Sequence, residues 1–148
     1  MPYDIDKQMD FKAPLARIWR ALTDYQEFGQ WFGVKLEQPF AVGRVASGYI
    51  TYPGYEHLLL ELTVVSIEPE RLFSFTWHPY AIDPAVDYST EPQTLVEFRL
   101  ERLADGTRLR ITESGFDKIP AGRRPIALRM NDSGWAEQLE SIERHVAA

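Results

Sequence analysis

The sequence predicts an α+β fold in which a curved antiparallel sheet of six to seven strands packs against one long C-terminal helix. Apolar and polar residues alternate in several short segments, which is typical of half-buried strands. Two of these segments flank Asp105-Gly106, a dipeptide typical of a tight hairpin turn. Near the C-terminus, apolar residues instead recur every three or four positions, as on one face of a helix. Since neither element could bury its apolar face alone, we expect them to pack together.

The N-terminal segment predicts one strand and two short helices. Apolar and polar residues alternate from Tyr3 to Phe11, apart from one lysine on the apolar side. Pro14 stands where the first turn of a helix tolerates proline, and apolar residues then follow at helical spacing: Leu15, Ile18, Trp19 and Leu22. A capping residue at Thr23 or Asp24 opens a second helix that ends near Gly33.

The middle of the chain predicts strands and one long loop. The predicted strands are Arg44–Tyr52, His57–Ile67, Leu72–His78, Thr94–Leu103 and Thr107–Ser114. Pro53-Gly54 is a turn dipeptide, so the first two of these strands should pair as a hairpin. The segment from Pro79 to about Pro92 follows neither a strand nor a helix pattern. Loops of this length are uncommon and are often lids or binding loops.

The C-terminal segment predicts a helix from roughly Gly122–Arg124 to Val146. Its apolar stripe advances by four, three and four residues: Trp135, Leu139, Ile142 and Val146. Extended towards the N-terminus, the stripe passes through Asn131. Arg123-Arg124 near the helix start is interpreted as a solvated pair, and binding of an anionic head group is the alternative.

Composition excludes several classes of site. The formal charge of −6 gives no broad basic surface for nucleic acid. The absence of cysteine removes disulfides, thiolate nucleophiles and cysteine-ligated metals, and the three histidines have no ligand spacing, so no metal or cofactor is expected. The longest aliphatic run has three residues and no secretory segment is evident, so we expect one cytoplasmic domain over residues 1–148 that does not bind membranes.

A series of short motifs runs in order along nearly the whole chain. The motifs are Ala13-Pro14, Ile18-Trp19-Arg20-Ala21-Leu22-Thr23, Gln30-Trp31-Phe32-Gly33, Pro69-Glu70-Arg71-Leu72, Phe75-Thr76-Trp77, Thr94-Leu95-Val96-Glu97-Phe98, Gly106-Thr107-Arg108-Leu109, Glu113-Ser114-Gly115-Phe116, Arg129-Met130-Asn131 and Gly134-Trp135. Together they resemble the START-like (SRPBCC) superfamily, and within it the branch named after the C-terminal domain of the activator of the heat-shock-protein-90 ATPase. The resemblance implies the helix-grip fold. It implies no single activity, because this scaffold hosts lipid and polyketide binding, cyclisation and chaperone activation.

Two polar residues are predicted to face the space between sheet and helix. Glu113 shares strand parity with Leu109 and Ile111, so it points inward unless the strand bulges or ends first. Asn131 lies in line with Trp135 on the helix. A buried carboxylate must find a partner or become neutral, and such groups gather at functional sites. The structural alternatives are a solvated or arginine-paired Glu113, and an Asn131 that bonds the adjacent sheet or loop.

Inward-facing aromatic residues form the predicted lining of a pocket. The lining set, chosen by parity and by the family resemblance, is Trp31, Phe32, Phe75, Trp77, Phe98, Met130 and Trp135. His78 is expected at the pocket rim, and Tyr80 and Tyr88 belong to the loop that should cover its mouth. The pattern does not separate a lined cavity from a filled core, because both use inward-facing positions.

Three functions remain open at this point. The first is binding of a hydrophobic or aromatic small molecule, with the polar end of the ligand towards Glu113 or Asn131. The second is an enzyme of the cyclase, dehydratase or hydrolase kind that uses Glu113 or His78 as acid or base, for which no catalytic motif is present. The third is partnership with a chaperone ATPase, which only the family resemblance implies.

Overall fold

The computed structural model describes residues 4–147, which form one antiparallel sheet and three α-helices. The strands are β1 (Ile5–Phe11), β2 (Val34–Leu36), β3 (Val45–Ile50), β4 (Leu59–Glu68), β5 (Leu72–Trp77), β6 (Thr94–Leu103) and β7 (Gly106–Ser114). The helices are α1 (Leu15–Thr23), α2 (Tyr25–Phe32) and α3 (Arg124–Ala147). The strand order across the sheet is β1-β7-β6-β5-β4-β3-β2. This confirms the predicted fold class, with seven strands; Tyr3, the first residue of the predicted N-terminal strand, lies outside the described residues.

The two short helices begin and end where the local sequence predicts. Pro14 precedes α1 in an extended conformation, and the helix buries its apolar side against the sheet. Asp24 caps α2 by accepting hydrogen bonds from the backbone N–H groups of Gln26 and Glu27. Gly33 ends α2 with φ +92°, a left-handed conformation in which any β-carbon would be strained.

Both predicted hairpins form, with shorter strands in the first. Leu103 pairs with Gly106 across the Asp105-Gly106 turn, and Tyr49 pairs with Leu59 on either side of the Pro53-Gly54 segment. Strand β2 was not predicted, because three residues are too few to show an alternating pattern. It approaches β3 closely, since a β-carbon on Gly48 would collide with the carbonyl oxygen of Lys35.

Helix α3 covers the concave side of the sheet with the predicted stripe. Trp135, Leu139 and Ile142 are buried, and Val146 is half-buried against the same core. Beneath the helices, aromatic rings pack edge to face in the sheet centre, for example Phe75 against Phe98 with centroids 5.8 Å apart. The part of the chain that is described contains no helix both long and apolar enough to cross a membrane.

Candidate functional site

Glu113 on β7 is fully buried and accepts hydrogen bonds from four side chains. Its Oε2 accepts from the Thr94 hydroxyl at 2.6 Å and from the Trp77 indole N–H at 2.9 Å. Its Oε1 accepts from the Trp135 indole N–H at 2.8 Å. The side-chain amide of Asn131 donates to both oxygens, at 3.1 and 3.2 Å. The inward direction predicted from strand parity is therefore present, and the group joins β5, β6, β7 and α3.

Two opposing effects act on the charge of this carboxyl. Burial removes water from the carboxylate and raises the pKa of Glu113, while the donors from Thr94, Trp77, Trp135 and Asn131 lower it; burial is the larger effect. Within residues 4–147, the hydrogen-bond partners of Glu113 include no Lys or Arg. A negative charge here is therefore stabilised by neutral dipoles, and none of these partners is a cation.

Both indoles that bind Glu113 also form the wall of a small recess. Trp77 and Trp135 stack with their centroids 5.6 Å apart and their planes 24° apart, and Phe32 lies 5.8 Å from Trp77 and 6.4 Å from Trp135. The recess has a volume of about 120 Å³. Its lining residues are Phe32, Trp77, Met130, Asn131, Gly134, Trp135 and Gln138. It is thus an aromatic recess with two side-chain amides.

A larger cleft of about 400 Å³ adjoins the recess and shares Phe32, Trp77 and Asn131 with it. One wall comes from the hairpin of β3 and β4, and the other from the long loop after β5. The remaining lining residues are Ile50, Leu58, Leu59, Leu60, Glu61, His78, Tyr80, Ala81, Ile82, Val86, Asp87, Tyr88 and Ser89. Volume and composition are those of a site for a small organic molecule.

Arg123 fastens the loop from residue 79 to residue 92 over this cleft. Its guanidinium donates to the carbonyl oxygens of Pro79 at 2.9 Å and Tyr80 at 3.0 Å, and to the carboxylate of Glu91 at 2.9 and 3.1 Å. It also lies 4.7 Å from the ring centroid of Tyr88. The interpretation of Arg123 as a solvated residue was wrong, because the sequence did not show that this loop returns to the helix start.

The predicted lining residues fall into three groups. Those on the cleft or the recess are Phe32, Trp77, His78, Tyr80, Met130, Asn131 and Trp135. Glu113 lies directly behind them, in contact with Asn131 and both indoles. Three residues expected in the lining, Trp31, Phe75 and Phe98, line neither space and are buried in the core. They lie where α2 and the centre of the sheet meet, and neighbouring rings fill that region.

Sequence reasoning missed the β3–β4 wall and Gln138. The side-chain Nε2 of Gln138 donates to the carbonyl oxygen of Phe32 at 3.3 Å, and its Oε1 is enclosed without a partner in the described structure. The loop wall was predicted, and its Ile82 and Val86 are both substantially exposed.

The histidines offer limited chemistry. His78 Nε2 contacts the carbonyl oxygen of Glu91 at 3.1 Å, and because a carbonyl oxygen only accepts, this contact assigns a proton to Nε2. His145, at the other end of the molecule, contacts Glu27 Oε1 at 2.9 Å. Within residues 4–147, no three His, Asp or Glu side chains are close enough to hold a metal ion. Metal analysis of untagged protein would test the expectation that none is bound.

Comparisons with known proteins agree with this architecture. Residues 12–147 match the sequence model of the family described as Activator of Hsp90 ATPase homolog 1-like protein (AHSA1). Among curated proteins, no sequence matches the chain significantly.

Solved structures share the fold over nearly the whole chain. Protein MLL2253 from Mesorhizobium loti is 26% identical with a TM-score of 0.76, over 97% of this chain and 96% of that one. DynU16, a protein of the dynemicin biosynthetic locus, is 20% identical with a TM-score of 0.74, over 97% of this chain and 47% of that one. The Aha1 dimer from Colwellia psychrerythraea is 18% identical with a TM-score of 0.71, over 96% and 94%. The last two show the fold alone. The family model and the shared helix-grip architecture together establish that this chain belongs to the Activator of Hsp90 ATPase homolog 1-like family, within the START-like superfamily.

Proposed function

We propose that this protein binds a small apolar or aromatic molecule in the cleft beneath the loop from residue 79 to residue 92. The observation that carries the proposal is the cleft itself: it encloses about 400 Å³, its walls carry aromatic and aliphatic residues, and Asn131 is among the polar residues that line it. Sites for small organic molecules combine these properties, with apolar walls for affinity and a few fixed polar groups for orientation.

Glu113 acts in this proposal as a positioning residue. Its two oxygens are occupied by the indoles of Trp77 and Trp135, by Thr94 and by Asn131. The carboxyl therefore fixes the side chains that meet the ligand and does not meet the ligand itself. Such a fixed floor favours binding, because little side-chain entropy is lost when the ligand arrives.

The same enclosure disfavours the acid–base alternative at Glu113. A general acid or base must come within hydrogen-bond reach of the reacting atom, and the fully buried Glu113 lies behind Asn131 and two indoles. We therefore favour binding over acid–base catalysis by Glu113. A cytoplasmic location, compatible with a chain that lacks cysteine, is part of the same proposal.

Native mass spectrometry of protein purified gently from the expressing cell would test the proposal. We expect a fraction of the molecules to carry an added mass of one small organic compound, which organic extraction should release for identification. Re-addition of that compound should raise the melting temperature by mass action. The variant Asn131→Leu should retain less of the compound, and Ser133→Ala, on the exposed side of α3, should retain as much as the wild type.

If the protein is free of ligand and no aromatic compound from a fragment set raises its melting temperature, the proposal fails.

A further inference from the structure

The charged residues that line the cleft are acidic. The acidic residues among its lining are Glu61 and Asp87, and among the described residues the lining contains neither Lys nor Arg. Hydrogen bonds from Ser89 keep the pKa of Asp87 below its ordinary value, so Asp87 is ionised at neutral pH. Arg123 holds the loop nearby but is paired with Glu91. The field in the cleft therefore favours a cation and opposes an anion.

The floor of the cleft offers a hydrogen-bond acceptor. Asn131 Nδ2 faces the carboxyl of Glu113, which four donors surround, and this contact fixes the orientation of the amide. Asn131 Oδ1 then points elsewhere and has no partner among residues 4–147, yet it is not among the enclosed unpaired atoms. A second amide oxygen, Gln138 Oε1, borders the recess and is enclosed without a partner. A ligand group that pairs with Asn131 Oδ1 must therefore be a donor.

Three aromatic rings lie close to one another in the same recess as Asn131. Phe32, Trp77 and Trp135 have centroids 5.6 to 6.4 Å apart and line the recess next to Asn131. Aromatic faces attract cations, and the attraction grows when the cation is removed from water. Both indoles also direct their N–H groups at the buried Glu113. The recess thus combines aromatic rings, an acceptor oxygen and a nearby carboxyl.

We propose that the cleft selects a ligand in which a protonated amine is attached to an apolar or aromatic body, with the amine in the recess against Asn131 Oδ1. The proposal rests on the proposed function and specifies its ligand class. The amine donates to the amide oxygen and lies against the rings of Phe32, Trp77 and Trp135, while the apolar body occupies the larger cleft. Ligands that end in a carboxylate are disfavoured, because they would bring an acceptor and a second negative charge to this position.

Three probes that share one naphthyl body and differ in their polar end provide the test: naphthylethylamine, naphthylethanol and naphthylacetate. Isothermal titration calorimetry at neutral pH would give the affinity of each. We expect the amine to bind about tenfold more tightly than the alcohol, because a partly desolvated contact between a cation and an aromatic ring increases affinity by about this factor. The acetate should bind most weakly.

The outcomes separate the two proposals. If the alcohol binds as tightly as the amine, or if the acetate binds best, the preference for amines is wrong while a cleft for aromatic molecules stands. If none of the three binds, the preference for amines is wrong, and the native mass spectrometry and the fragment set decide the proposed function separately.

Charge-removing variants give a second, independent readout. The double variant Glu61→Gln, Asp87→Asn should lower the amine-to-alcohol affinity ratio about threefold or more, since it removes the two acidic side chains among the lining residues. The matched control Glu37→Gln removes an exposed carboxylate outside the cleft and should leave the ratio unchanged. A ratio that is equal in the double variant and the wild type would contradict the role of the cleft charges.

Discussion

Asn131 on helix α3 donates its side-chain amide to both carboxyl oxygens of Glu113 on strand β7, over 3.1 and 3.2 Å. The two residues lie on different elements, so this contact ties the long helix to the centre of the sheet. It also sets the direction of the opposite amide atom, Oδ1, which is the acceptor available to a ligand. A structural contact and a binding contact are thus made by the two ends of one side chain.

Removal of the ionisable group at position 113 should change how stability depends on pH. The folded pKa of Glu113 lies above its ordinary value of 4.5 because the carboxyl is buried. The folded state therefore binds this proton more tightly than the unfolded chain, so its contribution to stability is full at low pH and is lost as pH rises through the folded pKa. The variant Glu113→Gln has no ionisable group at this position, so its stability does not decrease in this way as pH rises. The free energy of unfolding, measured in guanidinium at several pH values, should fall more with rising pH in the wild type than in the variant.

The other carboxyls contribute equally to the pH dependence of the wild type and of the variant. The difference between their free energies of unfolding therefore reports on residue 113. A difference between wild type and variant that is constant above pH 4.5 would show that the folded pKa of Glu113 is not raised.

Truncation of the helix stripe should cost substantial stability. Leu139 is 4% exposed and packs in the core between α3 and the sheet. Leu139→Ala should lower the free energy of unfolding by about 2–5 kcal/mol, because it removes buried methyl groups and leaves a cavity. The neighbouring exposed residue gives the control: Glu140→Ala should change the free energy of unfolding by less than about 0.5 kcal/mol. A similarly small effect at Leu139 would mean that the stripe faces solvent.

Loss of the Arg123 guanidinium should loosen the loop without unfolding the sheet. Arg123→Gln removes the ion pair with Glu91 and weakens the bonds to the carbonyl oxygens of Pro79 and Tyr80. Charge-assisted hydrogen bonds of this kind stabilise enough to slow local opening about tenfold. Hydrogen exchange followed by mass spectrometry should therefore show faster exchange in residues 79–92 and unchanged exchange in β6 and β7.

Arg129→Gln, at an exposed position of the same helix, should leave exchange in the loop unchanged. If residues 79–92 exchange hydrogen at the same rate in both variants, Arg123 does not hold the loop.

Much of the fold could be predicted because local patterns carry it. The stripe through Leu139 and Ile142 has helical spacing that no strand could use, and Asp105-Gly106 permits little besides a hairpin. The inward direction of Glu113 followed from strand parity alone. Strand β2 could not be predicted, because three residues are too few to show an alternating pattern. It is positioned by its close contact with Gly48 on β3.

The cleft was harder to predict because burial patterns do not distinguish filled from empty space. Phe75 and Trp77 share one face of β5, yet Phe75 lies in the core and Trp77 at the edge of the cleft. The difference comes from α2, whose Phe28 packs edge to face on Phe75, while Phe32 at the end of that helix faces Trp77. Contacts between elements distant in sequence decide which of the two residues borders the cleft. Contacts of the same kind place Arg123 against the loop of residues 79–92.

The indole signals of the four tryptophans in a two-dimensional nitrogen–proton NMR spectrum test the central claim most directly. Trp77 and Trp135 line the recess, whereas Trp31 donates to the carbonyl oxygen of Ala21 in the core and serves as an internal control. Addition of naphthylethylamine should shift the indole N–H signals of Trp77 and Trp135 and leave that of Trp31 in place. If saturating probe leaves the first two unmoved, or moves Trp31 as much as them, the cleft is not the binding site.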